Sequence, residues 1–224
     1  MLSVIIPTLN AASHLPRSLP PLAAMEAVGL VREVIISDGG STDASLAIAE
    51  ASGARIVQGP AQRARQLRAG ADIARGPWLL FLHADTALSP GWAAEVASFM
   101  QGDEDCIAAF RFGCDDSSKE AQSMARWVAR RCRWLRLPYG DQGLLIHQNT
   151  YRKVGGYGEL AFLEDVELIR RVGRGKVRML ETLAITSVEK HRKDGFRRRS
   201  FRNLGLVALY YCGISPAVLA RHYD

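Results

Sequence analysis

Two runs of β-branched and apolar residues, Leu2 to Pro7 and Val31 to Ser37, each give way to a polar loop and then to a helix-like segment. Continuous apolar runs of strand length belong to strands buried on both faces, and their alternation with helices is the pattern of a parallel α/β sheet. The alternation predicts a first helix over about 13–28 and a second starting near Thr42 and Asp43, where Ser41 or Thr42 can cap it. A short strand at Ala54 to Val57, a helix at Gln62 to Ile73 and a strand at Pro77 to His83 complete a doubly wound half of about 1–86. A helix follows at Trp92 to Met100 and a strand at Cys106 to Gly113. The rest is less regular: a basic helix from about Ser117 to Trp134, a loop at Pro138 to Gly143, a strand at Leu144 to His147 and a short helix at Asp165 to Arg171. Strands at Lys176 to Leu180 and Ala184 to Ser187 come next, then helix. The expected organisation is one domain over 1–224, with an acceptor half of about 87–190 and a C-terminal helical segment of about 191–224.

At 224 residues, 48% hydrophobic and 23% charged, the chain can bury a full core and is not compositionally disordered. Its longest apolar runs are of strand length, so no transmembrane span is expected, and the first residues lack the pattern of a secretory leader. Cytoplasmic residence is the default expectation. Cys106, Cys114, Cys132 and Cys212 form no C-x-x-C pair, which points to buried free thiols rather than zinc or redox chemistry.

In open α/β sheets ligands bind at the carboxyl edge of the strands. Trp78 to Leu82 ends there on His83-Ala84-Asp85, and Val31 to Ser37 ends on Asp38. Asp85 alone reads equally as a turn cap before Ser89-Pro90-Gly91 and as an oxygen ligand for a hard divalent cation whose other ligands are phosphate and water. Asp38 could accept hydrogen bonds from a base or ribose. No G-x-G-x-x-G follows the first strand and no Walker pattern occurs, which removes the common dehydrogenases and nucleoside triphosphatases. A phosphohydrolase with a nucleophilic first Asp in Asp-x-Asp is excluded because His83 stands in that position.

Taken in order, Val4-Ile5-Ile6-Pro7-Thr8-Leu9-Asn10, Asp38-Gly39-Gly40-Ser41-Thr42-Asp43, Phe81-Leu82-His83-Ala84-Asp85-Thr86 and Glu164-Asp165 resemble a family 2 glycosyltransferase of the GT-A fold. Within it, Leu80 to Thr86 and Tyr139 to Leu144 are similar to a small bacterial branch named for arsenosugar biosynthesis. The resemblance implies a Rossmann-like, mixed but mainly parallel sheet flanked by helices. It also implies an inverting transfer from a nucleoside diphosphate sugar to an unknown hydroxyl acceptor. Pro7, Thr8, Asn10, Asp38, Arg65, Ala84 and Asp85 would then line the donor site, with Asp85 holding Mn²⁺ or Mg²⁺ and His83 or His191 as further metal candidates. Asp165 would be the general base, and Asp141, Gln142 and Glu164 would serve the acceptor or support the base. Read without the resemblance, Glu164 and Asp165 are first-turn residues favouring a helix dipole, and Tyr139 to Gly143 is a turn. A non-catalytic nucleotide-sugar or membrane-surface binding protein remains the alternative.

The chain departs from the family pattern in four places. Ala11 follows Asn10 where an acid is common, Gly39 replaces the second acid of Asp-Asp-Gly-Ser, Arg68 replaces the Asn of Asn-x-Gly, and His83 replaces the first acid of Asp-x-Asp. The net charge of +6 gathers in Arg126 to Arg136 and Lys190 to Arg202. Trp127, Val128, Trp134 and Leu135 recur at helical spacing within the first cluster, which suits a helix packed on the core with a solvated face and equally a helix at a membrane surface. The stretch Leu204 to Tyr211 after Phe196 to Arg199 suits contact with anionic lipid or a homodimer face. No nucleic-acid module accompanies the charge, so nucleic acid is not expected as a partner.

Overall fold

A computed structural model describes residues 1–160, 163–189 and 196–220. Its strands are β1 (Leu2–Thr8), β2 (Val31–Asp38), β3 (Arg55–Gln58), β4 (Trp78–Phe81), β5 (Thr86–Leu88), β6 (Ile107–Cys114), β7 (Leu144–His147) and β8 (Val177–Thr186). All eight lie in one sheet ordered β3-β2-β1-β4-β7-β6-β8-β5, so a single sheet joins the two expected halves. Strands β3, β2, β1 and β4 are mutually parallel. Strand β7 runs antiparallel to both β4 and β6, β8 is parallel to β6, and β5 is antiparallel to β8. The order reverses at β1, whose neighbours are β2 on one side and β4 on the other. In open α/β sheets ligands bind in the crevice beyond the carboxyl ends of the strands at such a reversal, which here is the edge formed by β1 and β4.

Alternation along β1 splits the core in two. Leu2, Val4 and Ile6 pack with Leu15, Leu22, Ala49, Trp92 and Val96 on one face of the sheet. Ile5 packs on the other face with Leu67, Ala71, Val166, Ile169 and Leu206. The first layer uses α1 (Leu15–Ser18), α2 (Pro20–Ala27), α3 (Ser45–Ala51) and α5 (Trp92–Phe99), and the second uses α4 (Arg63–Ile73), α8 (Glu164–Val172) and α9 (Phe196–Tyr211). Gly70 lets α4 approach β1, because a Cβ there would lie 2.4 Å from Ile5 Cγ2.

Several expectations on the elements are corrected. The single helix over 13–28 is two, because Pro20 has no N–H to continue α1 and instead starts α2. Helix α3 starts at Ser45, and its entry is held by Asp43, whose Oδ1 accepts from Ser45 N at 2.9 Å. The two strands expected over 176–187 are one, β8, with a register shift opposite Phe110. Glu95 makes this irregularity tolerable, since its Oε2 accepts from Thr182 N at 2.9 Å. Strand β5 and helix α7 (Gln148–Lys153) have no counterpart in the sequence reading. The four cysteines form no disulfide among the described residues, but only Cys106 and Cys132 are buried: Cys114 is half-buried and Cys212 exposed.

Helix α6 (Lys119–Leu135) is capped by the Ser118 side chain and buries Ala121, Met124 and Cys132. Trp127 and Trp134 take no part in that contact: they are 59% and 75% exposed. Helix α9 packs against α6 and buries Leu206 and Val207 within its own chain, while Leu204, Leu209 and Tyr211 stay exposed. A short helix, α10 (Pro216–Ala220), follows α9. Among the described residues no helix is long and apolar enough to cross a membrane.

Candidate active site

Five segments meet at the carboxyl edge. The first pair is the ends of β1 and β2. Asp38 is fully buried, and its Oδ2 accepts from Gly40 N at 2.8 Å and Ser41 N at 2.9 Å while Oδ1 accepts from the Ser41 hydroxyl. These three bonds tie Asp38 into its own loop and leave one lone-pair direction of the carboxylate. Ser41 and Thr42 bind across to Asn10 instead of capping α3: Asn10 N donates to Ser41 Oγ, and Asn10 Oδ1 accepts from Thr42 N, each at 2.9 Å. Asn10 takes the left-handed conformation at φ +50° that this bridge requires. Thr8 is buried and Pro7 half-buried, and Thr8 O accepts from Gly39 N at 2.8 Å, which ties the end of β1 to the turn after β2.

Gln66 was not singled out by the sequence. Buried on α4, it donates from Nε2 to both Thr8 O and Ser37 O at 2.8 Å, lacing the two strand ends together. A Cβ at position 39 would lie 3.0 Å from that nitrogen, which gives the Gly39 departure a steric basis.

The third segment follows β4. Leu82 N still donates to Ile5 O, at 3.0 Å, after which the chain turns through His83, Ala84 and Asp85 into β5. Asp85 is half-buried; its Oδ1 accepts from Thr186 Oγ1 at 3.2 Å and Thr86 Oγ1 at 3.3 Å. These are long bonds, and among the described residues Asp85 Oδ2 accepts none.

The fourth segment is the loop 137–143, with one 3₁₀ turn at Gly140–Gln142. Gln142 is buried and anchors it, donating to Phe110 O at 3.0 Å and accepting from Arg131 Nη2 at 2.9 Å. Arg131 also donates to Leu137 O and stacks over the Tyr139 ring, 3.4 Å from its centroid. Nothing in the sequence separated this arginine from its surface neighbours on α6. Asp141 Oδ1 is sealed from solvent and finds no donor among the described residues. Burial pushes its carboxyl above the usual range, and the Asp85 charge adds to the shift against Arg131 and Arg63.

The fifth segment is the start of α8. Asp165 Oδ1 accepts from the hydroxyl of fully buried Tyr157 at 2.9 Å. An added Cβ on Gly140 would sit 2.2 Å from Asp165 Oδ2 and 2.7 Å from His83 Nε2, so only glycine fits and the two side chains crowd the same point. Burial, then the adjacent Glu164 carboxylate, push Asp165 up to about 7 against the pull of Arg63 and the Tyr157 hydroxyl. Glu164 is buried, with Oε1 3.4 Å from Arg63 Nη1. Arg63 is therefore the arginine of α4 that faces the acidic cluster. Arg65 pairs with Glu159 on the surface instead, both side chains being exposed.

Asp85, Asp141, Glu164 and Asp165 thus share one edge with Arg63 and Arg131. Among the described residues no three His, Cys, Asp or Glu side chains converge as a complete metal cage. An acidic cluster with an orphaned carboxylate oxygen at Asp141 still fits a hard divalent cation that takes most of its ligands from phosphate and water. His191 and the basic residues around it lie outside the described residues.

Residues 3–158 match the family described as glycosyl transferase family 2. The chain is 39% identical over 111 residues to a PGL/p-HBAD biosynthesis glycosyltransferase of Mycobacterium bovis, and equally to one of Mycobacterium tuberculosis, over 45% of this chain. It spans 41% of those relatives' length. Among solved structures, S. aureus TarS superposes with a TM-score of 0.65 at 17% identity, over 97% of this chain and 41% of that one. Glucosyl-3-phosphoglycerate synthase from Mycobacterium tuberculosis, in complex with Mn²⁺, UDP and glucosyl-3-phosphoglycerate, superposes with a TM-score of 0.61 at 19% identity, over 96% of this chain and 80% of that one. At such identities the likeness shows the fold.

Proposed function

Because this chain belongs to glycosyl transferase family 2, we propose that it transfers a sugar from a nucleoside diphosphate sugar to a hydroxyl acceptor with inversion, Asp165 acting as the general base. The observation that carries this reading is the convergence of Asp165 and His83 on Gly140, which puts a carboxylate of raised proton affinity beside the loop ending in Asp85. An acceptor hydroxyl must lose its proton as it attacks the anomeric carbon, and a base titrating near neutrality does this well. Tyr157 holds one oxygen of Asp165, and the other, which lies against Gly140 beside His83, would take the proton. Asp85 would hold Mn²⁺ or Mg²⁺, which when bound neutralises charge on the departing diphosphate. A fold neighbour is known in complex with Mn²⁺ and UDP, which supports a divalent metal with the donor but names no residue for it. Thr8, Asn10 and Asp38 would line the nucleotide side, and Arg63, which pairs with Glu164, would exchange that carboxylate for the diphosphate. Attack opposite the leaving group needs only one carboxylate base, unlike the paired acids of glycoside hydrolysis.

The test is nucleotide release from a panel of nucleotide sugars with Mn²⁺ or Mg²⁺ and candidate hydroxyl acceptors, for the native chain and Asp165→Asn. The expected result is release that falls by roughly 10²-fold or more in the variant, with donor binding retained. Turnover indifferent to the substitution would remove Asp165 as base. Donor binding without turnover throughout the panel would favour a nucleotide-sugar binding protein.

A further inference from the structure

Trp127 and Trp134 are seven residues apart on α6, two helical turns and roughly 10 Å along one side. Both are well exposed, as is Leu135 at 45%. Arg130 lies between the two rings on the same side, and Arg126 and Arg133 follow one step further round. None of these three arginines has an ion-pair partner among the described residues. Large exposed apolar rings cost solvation in water, and a folded chain keeps few of them adjacent without a use. Indole rings prefer the boundary between hydrocarbon and water, and arginines beside them match anionic headgroups.

We propose that the outer face of α6 docks on an anionic lipid bilayer, with Trp127 and Trp134 inserted at the headgroup boundary and Arg126, Arg130 and Arg133 on lipid phosphates. A second copy of the chain is the poorer occupant. A two-fold interface sets the same patch against itself, and here that opposes three arginines to three. Arg131, a helical neighbour of both tryptophans, turns toward the chain to brace the loop that carries Gly140 and Asp141, so the docked face adjoins that loop. The surface assignment stands independently of the catalytic reading.

The full chain is mixed with vesicles of phosphatidylcholine alone or with about a third phosphatidylglycerol, at low and high salt, and bound protein is recovered by flotation. Binding is expected on the anionic vesicles, weakened by salt and accompanied by a blue shift of tryptophan emission. Trp78 and Trp92 are buried, so that shift reports Trp127 and Trp134. Replacing the three arginines (R126Q, R130Q, R133Q) should weaken partitioning by roughly tenfold to a hundredfold. W127S with W134S should abolish the blue shift. Absence of binding at low salt, equal binding to both vesicle types, or binding indifferent to these variants would overturn the proposal. So would a native dimer that W127S with W134S makes monomeric, because a second copy would then hold the face. UDP binding with Mn²⁺, measured by titration calorimetry on the same proteins, reads the donor site separately and is expected to be unchanged.

Discussion

Asp165 must be ionised to take a proton, and the Tyr157 hydroxyl favours the ionised form by donating to Oδ1 at 2.9 Å. Burial and Glu164 push the other way and prevail, holding the group up at about 7. Removing the hydroxyl with Tyr157→Phe keeps the buried ring and withdraws one lowering influence, so the Asp165 proton is held more tightly. The acid limb of the kcat/KM profile is expected near pH 7 in the native chain and at higher pH in Y157F, with kcat lower by roughly tenfold from the lost positioning. Initial rates across pH 5.5 to 9 measure both; a limb at the same pH would show that Tyr157 only fills space. Sequence alone gave no access to this pair. Tyr157 sits among glycines with no chemistry-bearing spacing, and its role depends on how the 154–158 turn faces α8. The steric basis of Gly39 was hidden in the same way, because Gln66 comes from another helix.

Helix α6 also serves the site, and Arg131 is where that role concentrates. Its guanidinium stacks on Tyr139 and donates to Leu137 O and Gln142 Oε1, a planar, forked contact that a lysine ammonium cannot reproduce. Arg131→Lys is expected to cost about 1–3 kcal/mol of stability, and to lower kcat more than it weakens donor binding, since the loop it braces abuts Asp165 and His83. Denaturant melts together with kcat and donor Kd check this; equal losses in kcat and donor affinity would count against a loop-specific role. At this scale the sequence was informative where a single period governs a segment. Strands β1, β2 and β7 and helix α4 fall within a residue or so of their expected ends, because hydrophobic runs and polar breaks mark them locally. It was uninformative where partners from distant segments decide. Strand β5 has three residues and exists because β8 pairs with it, and β8 stays whole across its irregularity because Glu95 satisfies the backbone there. Asp85, Asp165 and Gly140 were readable as motifs, but Arg131 looked like one basic surface residue among five.

The two edges of the one sheet respond to pH with opposite signs. At the amino edge, Glu33 is 7% exposed; burial pushes its carboxyl up, but bonds from Ser3 Oγ, the Arg55 guanidinium and Arg75 N outweigh that and hold it below its ordinary value. A carboxylate lowered in the folded state contributes stability above its unfolded pKa, and loses it as pH falls through the folded pKa. At the carboxyl edge Asp165 and Asp141 are raised, so the folded state holds protons that the unfolded chain has released, and stability declines as pH climbs from about 4 toward 7. The thermal midpoint is therefore expected to peak in mildly acid solution, falling on the acid side through Glu33 and on the neutral side through the site. Asp165→Asn removes one raised group while its side-chain oxygen still accepts from Tyr157. It should gain about 1–2 kcal/mol at pH 8 and little at pH 4, moving the peak upward. Glu33→Gln should act in the reverse sense: it lowers stability at pH 8, where the native carboxylate is charged and fully bonded, and flattens the fall below about pH 4.5. Scanning calorimetry of the three proteins between pH 3.5 and 8.5 measures these shapes. A peak that Asp165→Asn leaves in place would mean that Asp165 is not strained by its neighbours, and the case for a base poised near neutrality would go with it.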